Sequence, residues 1–214
     1  MPNFPPHGLY AITAAGTQAT LGAAVAAAID GGATVVQYRD KSDDPHKRRR
    51  EAAELTALCA ARGVPLLVND DVALAAQVGA PGVHIGRDDG SLAEARARLG
   101  ADAIIGVSCY ASLASAEQAA EDGATYVAFG SFFPSLTKPA APPVSMDVLA
   151  RARQRLRVPI VAIGGINASN GLGLVEAGAT HLAVISAVFG AGFDATLVEQ
   201  SAREFQACFA RARR

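Results

Sequence analysis

Short β-branched apolar runs alternate along the chain with alanine-rich stretches whose apolar positions recur at helical spacing. Eight runs read as strands: Leu9–Thr13, Thr34–Arg39, Leu66–Asp70, Val83–Gly86, Ile104–Ser108, Tyr126–Gly130, Ile160–Gly164 and Leu182–Ser186. Each is followed by a helix-like segment, among them Asp44–Arg62, Ser91–Leu99 and Ser169–Ala177. A Gly-Ala pair recurs just before strands, at Gly32, Gly79, Gly100, Gly123 and Gly178, where glycine can take the left-handed conformation that closes a helix. Helix starts agree: Asp44 precedes Pro45 as an N-cap, and Ser91 with Glu94 forms a capping box. Strict alternation implies a parallel sheet covered by helices. Eight units predict an α/β fold, a (β/α)8 TIM barrel, with residues 1–214 forming one domain. The competing arrangement is a doubly wound open sheet, but no GxGxxG opens the first helix and no linker divides the chain.

Composition narrows the function classes. The chain has 214 residues, 50% of them hydrophobic and 18% charged, which supports a sizeable core and excludes disorder. A net charge of −1 argues against nucleic-acid binding and against attachment to anionic membranes. No apolar run reaches membrane-span length, and the opening MPNFPPHG has no signal-peptide pattern. The three cysteines are widely spaced and in no CxxC pair, as expected of reduced thiols in a cytoplasmic protein. The four histidines never form HxH or HExxH, so zinc has little support.

In such a barrel the active site is built from the loops that follow the strands. The second strand ends VVQYRDK, and Gln37, Arg39 and Lys41 share one face while the backbone stays extended. Two cations and an amide aimed at a barrel mouth are costly unless they hold an anion. Strand three ends with Asn69 and Asp70, and strand four runs into Asp88 and Asp89. Carboxylates from neighbouring strand ends can share one Mg²⁺, although helix capping would also explain one of Asp70 and Asp71. Strand five places Ser108 at its end. The loop after strand six carries Ser135, Thr137 and Lys138 among prolines, and the chain has only three lysines. Strand seven ends in Gly164-Gly165, and Ile185-Ser186 follows strand eight, the region of the common phosphate site in this fold. The pattern suggests two anion sites. One joins Arg39, Lys41 and Lys138 to a metal on Asp70 and Asp89 and suits a diphosphate. The other joins Gly165 and Ser186 to the hydroxyls of Ser135 and Thr137 and suits a monophosphate. No activated nucleophile is visible.

At these residues the chain resembles the thiamine phosphate synthase family. VQYRDK, LLVNDD, HIGRDD, GVSCY, FFPSLTK, AIGGIN and AVISA each resemble a family motif, in order along nearly the whole chain. The resemblance implies a transferase that joins a hydroxymethylpyrimidine diphosphate to a thiazole phosphate with Mg²⁺ as cofactor. It implies that Gln37, Arg39, Lys41, Asn69, Ser108 and Lys138 bind the pyrimidine diphosphate. Asp70 and Asp89 would hold the metal, and Ser135, Thr137, Gly165, Ile185 and Ser186 would bind the thiazole phosphate. Arg39, Lys41, Ser108 and Lys138 would assist the chemistry. The partners are then small molecules, with no nucleic acid and no membrane. A related tautomerase or regulatory barrel would have lost the diphosphate or metal residues. A Schiff-base aldolase would need a lysine projecting from a strand, and strand six has none.

Overall fold

Eight parallel strands each pair with the next, and the last returns to the first to close the barrel. In this computed structural model, which describes residues 4–14, 18–134, 143–190 and 194–211, the strands are β1 (Gly8–Ile12), β2 (Ala33–Tyr38), β3 (Leu66–Asn69), β4 (Gly82–Ile85), β5 (Ile104–Tyr110), β6 (Tyr126–Phe129), β7 (Ile160–Ile163) and β8 (His181–Val184). Between them lie α1 (Gln18–Asp30), α2 (Pro45–Ala61), α3 (Val72–Val78), α4 (Leu92–Leu99), α5 (Leu113–Glu121), α6 (Asp147–Arg155) and α7 (Gly171–Ala177). After β8 come α8 (Ser186–Phe189), α9 (Ala195–Glu204) and α10 (Gln206–Arg211). The closed barrel, not the open sheet, is therefore the fold. No helix among the described residues is long and apolar enough to cross a membrane.

Local signals explain the helix boundaries. Asp44 accepts the Lys47 amide ahead of Pro45, and Ser91 and Glu94 complete a reciprocal capping box. Gly32, Gly79, Gly100, Gly123 and Gly178 all have positive φ, as their place before strands implied. The predicted strand ends overrun at Arg39, Asp70, Gly86, Gly130, Gly164 and Ser186. At these positions the chain leaves the ladder to build the mouth of the barrel; Asp70, for instance, turns to φ 64°. The seventh helix starts at Gly171 and not Ser169, and the amides of Ser169 and Asn170 in the turn before it donate to the Asn167 side chain at 2.9 and 3.1 Å.

Period-two alternation sorts the strand residues into two layers. Leu9, Val36, Leu66, Val83, Ile105, Val127, Ile160 and Leu182 pack outward with helix residues such as Leu55, Leu149 and Phe205. The opposite parity fills the barrel interior with Tyr10, Ile12, Val35, Leu67, Ile104, Tyr126, Ala128, Val161 and Ala183. Each fully buried aliphatic or aromatic side chain contributes about 1.5–3 kcal/mol. The Tyr126 ring spans the interior because β5 places glycine opposite it. A Cβ at Gly106 would lie 1.9 Å from Tyr126 Cζ. Phe4 closes the other end of the barrel, stacked on Tyr126 at 4.6 Å and tilted against His181 at 4.7 Å. The three cysteines are buried and free, and burial pushes the Cys59 and Cys109 thiols up to about 12.

Two outcomes follow from this packing. Gly106→Ala should destabilise the protein by about 1–3 kcal/mol in urea denaturation, because the methyl group overpacks the tyrosine. His181 is fully buried; its Nδ1 lies 2.9 Å from Thr180 Oγ1, and its Nε2 has no hydrogen-bond partner. Burial, with a smaller contribution from the charge of His7, pushes it down to about 3. The folded state therefore holds His181 neutral while the unfolded chain takes up a proton near pH 6.5. Its contribution is intact above about pH 6.5 and is lost as pH falls from there toward 3, at up to ~1.4 kcal/mol per pH unit. Denaturation of His181→Leu between pH 7 and 5 should show a shallower acid decline than the parent protein; parallel curves would count against this origin.

Candidate active site

The C-terminal ends of the strands open into one cavity of about 280 Å³. Of the residues singled out in the sequence, Gln37, Arg39, Lys41, Asn69, Asp70, Asp89, Ser108, Gly165, Ile185 and Ser186 all line it. The described residues of the two expected anion sites thus line a single chamber. Ser135, Thr137 and Lys138 lie outside the described residues.

The charged side is built by β2, β3 and the turn after β4. Gln37 is the last inward residue of β2, and Arg39 and Lys41 continue its parity beyond the strand. Val36 and Tyr38 face the helices, as the alternation required. Lys41 Nζ lies 2.5 Å from Asp70 Oδ2 across the cavity edge. The neighbouring aspartates divide their roles. Asp71 caps α3 through the Leu74 amide at 2.8 Å and pairs with Arg48, also at 2.8 Å. Asp70 takes the left-handed conformation, which aspartate tolerates better than most residues, and lines the cavity. Its amide donates to the His84 carbonyl at 2.8 Å, fixing the turn to β4.

Asp89 faces the same corner. Its Oδ2 accepts the Gly86 amide at 2.8 Å, while Ser91 independently caps α4. Burial first, then the hydrogen bond to Asp70 and the Asp70 charge, raise the Asp89 carboxyl above the usual range against the opposing Gly86 amide. Burial also opposes ionisation of Asp70, but hydrogen bonds from Lys41, Asp89 and Asn69 and the Lys41 charge outweigh it and lower its pKa. Two carboxyl groups thus share one corner, with one favoured and one disfavoured as an anion. Among the described residues no third histidine, cysteine or acid joins them. A pair of oxygen ligands fits a magnesium-type ion, which keeps several positions for water and phosphate oxygens.

The opposite side is backbone and small polar groups. Gly164 and Gly165 have φ of 106° and 61°. Cβ atoms there would lie 2.0 Å from Ser131 Oγ and 2.4 Å from the Pro134 carbonyl oxygen, so the loop after β6 already requires both glycines. Ile185 precedes α8, and Ser186 begins it. Tyr110, also at positive φ, stands at the rim with the Arg87 guanidinium 5.1 Å from its ring centre.

Gln37 and Ser108 are joined by three floor residues that the strand ends did not reveal, Tyr10, Tyr126 and His84. Gln37 Nε2 donates to Tyr10 Oη at 2.7 Å, and the Tyr10 and Tyr126 hydroxyls are 2.8 Å apart. Tyr126 Oη lies 2.9 Å from His84 Nδ1, and His84 Nε2 lies 2.9 Å from Ser108 Oγ. With Gln37 as the donor at one end, proton donation running one way along the row would place the His84 proton on Nε2 and leave the Ser108 hydroxyl hydrogen for the cavity. Burial pushes both tyrosines upward, so the phenols stay protonated. The available signal was parity: His84 is a polar residue at an inward position of VHIG, two before Gly86.

A closed (β/α)8 barrel with a charged, polar chamber at its C-terminal mouth defines a class of small-molecule enzymes. Comparison with known proteins gives the family. The family model described as thiamine monophosphate synthase matches residues 9–188. A protein of Thiobacillus denitrificans called thiamine-phosphate synthase is 52% identical over 207 residues, covering 96% of both chains. Another of that name from an Azoarcus species is 54% identical over 186 residues, covering 86% of this chain and 90% of its own. The solved thiamine phosphate pyrophosphorylase of Pyrococcus furiosus superposes with a TM-score of 0.83 at 31% identity, over 97% of each chain. The chain belongs to the thiamine monophosphate synthase family and is a transferase of thiamine biosynthesis.

The floor makes a prediction about stability. Tyr126→Phe removes the hydroxyl that joins Tyr10 to His84 and costs each of them one hydrogen bond. A loss of about 1–3 kcal/mol is expected in equilibrium unfolding. Val127→Ala, on the outward face of the same strand, should leave ligand binding intact despite its own packing cost, whereas Tyr126→Phe should weaken binding as well.

Proposed function

We propose that this chamber joins a hydroxymethylpyrimidine diphosphate to a thiazole phosphate, releasing diphosphate and forming thiamine phosphate. One observation carries the reading: cationic, acidic and neutral polar side chains from six strand ends line the same cavity, and the reaction requires no protein nucleophile. The polar floor of Gln37, His84 and Ser108 suits a flat aminopyrimidine that both donates and accepts hydrogen bonds. Arg39, Lys41, Asn69 and Lys138 hold the diphosphate. Gly165, Ile185 and Ser186, with Ser135 and Thr137, take the thiazole phosphate opposite.

In the chemical step the methylene C–O bond of the pyrimidine breaks, and its electron pair leaves with the diphosphate. The ring amine donates electron density to the carbon left positive. Arg39, Lys41 and Lys138 stabilise charge growing on the departing oxygens. The thiazole nitrogen then supplies its lone pair to form the C–N bond, and no proton need be transferred. The walls orient the two rings and exclude water from the cationic carbon. Mg²⁺, held by Asp70 and Asp89 when bound, would neutralise part of the diphosphate charge. A cytoplasmic setting, with three buried unpaired thiols, fits this reading.

The decisive experiment supplies both substrates and measures thiamine phosphate and diphosphate together; formation of neither would refute the proposal. Asp70→Asn and Asp89→Asn should each lower turnover at least ~100-fold, on the scale of removing one element of transition-state charge stabilisation. EDTA should abolish activity of the parent protein, and folding of both variants should persist because Asp71 and Ser91 supply the nearby caps. Full activity of both variants in EDTA would remove the metal assignment. Arg39→Ala should weaken use of the pyrimidine diphosphate by about 1.5–3 kcal/mol, read from kcat/KM. The KM for the thiazole phosphate should change little.

A further inference from the structure

Behind β2 lies a charge cluster that does not line the cavity. The Asp40 and Glu51 side chains are only 3% and 5% exposed, with Lys47 between them. Lys47 Nζ is bonded to Asp40 Oδ2 and donates to Glu51 Oε2 at 3.0 Å. The Tyr38 hydroxyl donates to Glu51 Oε2 at 2.8 Å and lies 3.4 Å from Asp40 Oδ2. One cation facing two buried carboxylates is an expensive way to fill space.

The arrangement has one bond that leads toward the mouth. Asp40 Oδ1 accepts the amide of Ser42 at 2.7 Å. From the other side, Thr13, fully buried just past β1, clamps Arg39 at both of its backbone groups. Its Oγ1 accepts the Arg39 amide at 2.9 Å and donates to the Arg39 carbonyl at 3.3 Å. The segment from 39 to 42 has left the ladder that ends at Tyr38, yet it is fixed at both ends. Arg39 and Lys41 lie within it and project into the cavity, while Asp40 projects back to the cluster.

We propose that Asp40 and Thr13 are positioning residues that set the direction of Arg39 and Lys41 toward the diphosphate. The assignment rests on the reaction proposed above for the identity of that anion. The Asp40 carboxylate acts through the Ser42 amide, and Lys47, Glu51 and Tyr38 hold it at a fixed depth behind the strand. The long cationic side chains thus start from a backbone that cannot pivot, which reduces the ordering left to be done when the anion binds.

Steady-state kinetics with each substrate varied separately tests this. Asp40→Ala should lower kcat/KM for the pyrimidine diphosphate about 100-fold, the loss that misplaced groups of this kind produce. The KM of the thiazole phosphate should stay within about two-fold of the parent value, since its side of the cavity is untouched. Asp40→Asn keeps an oxygen for the Ser42 amide but turns its NH2 toward the Lys47 ammonium, so it should recover only part of the loss, remaining at least about three-fold more active than Asp40→Ala. Thr13→Val, which keeps the shape but removes both hydrogen bonds to Arg39, should repeat the selective loss and decides the matter if Asp40→Ala does not fold. Calorimetric titration with inorganic diphosphate reads the same positioning without turnover. Weaker diphosphate binding in Asp40→Ala and Thr13→Val, with partial recovery in Asp40→Asn, supports the proposal even if the parent protein forms no thiamine phosphate. Equal impairment toward both substrates, no advantage of Asn over Ala, or unchanged diphosphate affinity would overturn it.

Discussion

Two tyrosine rings stand edge to face within the barrel, 5.9 Å between centres, and their hydroxyls are hydrogen-bonded to each other. Most of the architecture depends on this contact. A closed parallel barrel must fill its interior, because an empty one would forfeit dispersion and hydrophobic contacts together. Here the filling stops partway. Apolar residues and Phe4 pack the end where the strands begin, the tyrosines form a floor, and the space above them stays open as the cavity. Gly106 makes room for Tyr126, and Gln37 and His84 prevent the phenols from being buried polar groups without partners.

The rim is made differently. The floor rests on strand residues locked in the ladder, whereas the charged groups sit just beyond the ladder, where the chain is free to turn. Each such group needs its own anchor. Asp70 is held by its amide bond to the His84 carbonyl, Asp89 by the Gly86 amide, and Arg39 by Thr13. The attraction between Lys41 and Asp70 contributes little to stability at a half-open edge. Its value lies in holding a cation and a carboxylate at one corner before any ligand arrives.

The fold was legible because strand and helix periods differ and because glycine and capping signals punctuate many of the changes from one to the other. The rim was legible for a related reason: Arg39, Lys41, Asp70 and Asp89 are polar at places where a plain barrel would not need charge. The floor was not. Tyr10, His84 and Tyr126 sit inside apolar runs, and a single polar atom on a large ring is hard to tell from ordinary core. Their meeting depends on register around the whole barrel, since Tyr10 and Tyr126 are 116 residues apart. The two glycines after β7 read as room for a phosphate, yet they are already demanded by contact with the loop after β6. A spacing pattern cannot separate these two causes.

A one-way run of hydrogen bonds beneath the cavity would give the floor a polarity. With the amide at position 37 donating to Tyr10, the serine at the far end would present a donor. A carboxylate at position 37 could only accept. Both phenols would then turn about their C–O bonds, His84 would move its proton to Nδ1, and Ser108 would donate to the ring in place of the ligand. The complement of the floor would be inverted by a change on the opposite side of the barrel, without moving a heavy atom. What the floor offers to a bound ring would in this sense be written into the direction of rotatable hydrogens, with the side-chain nitrogen of Gln37 at its origin.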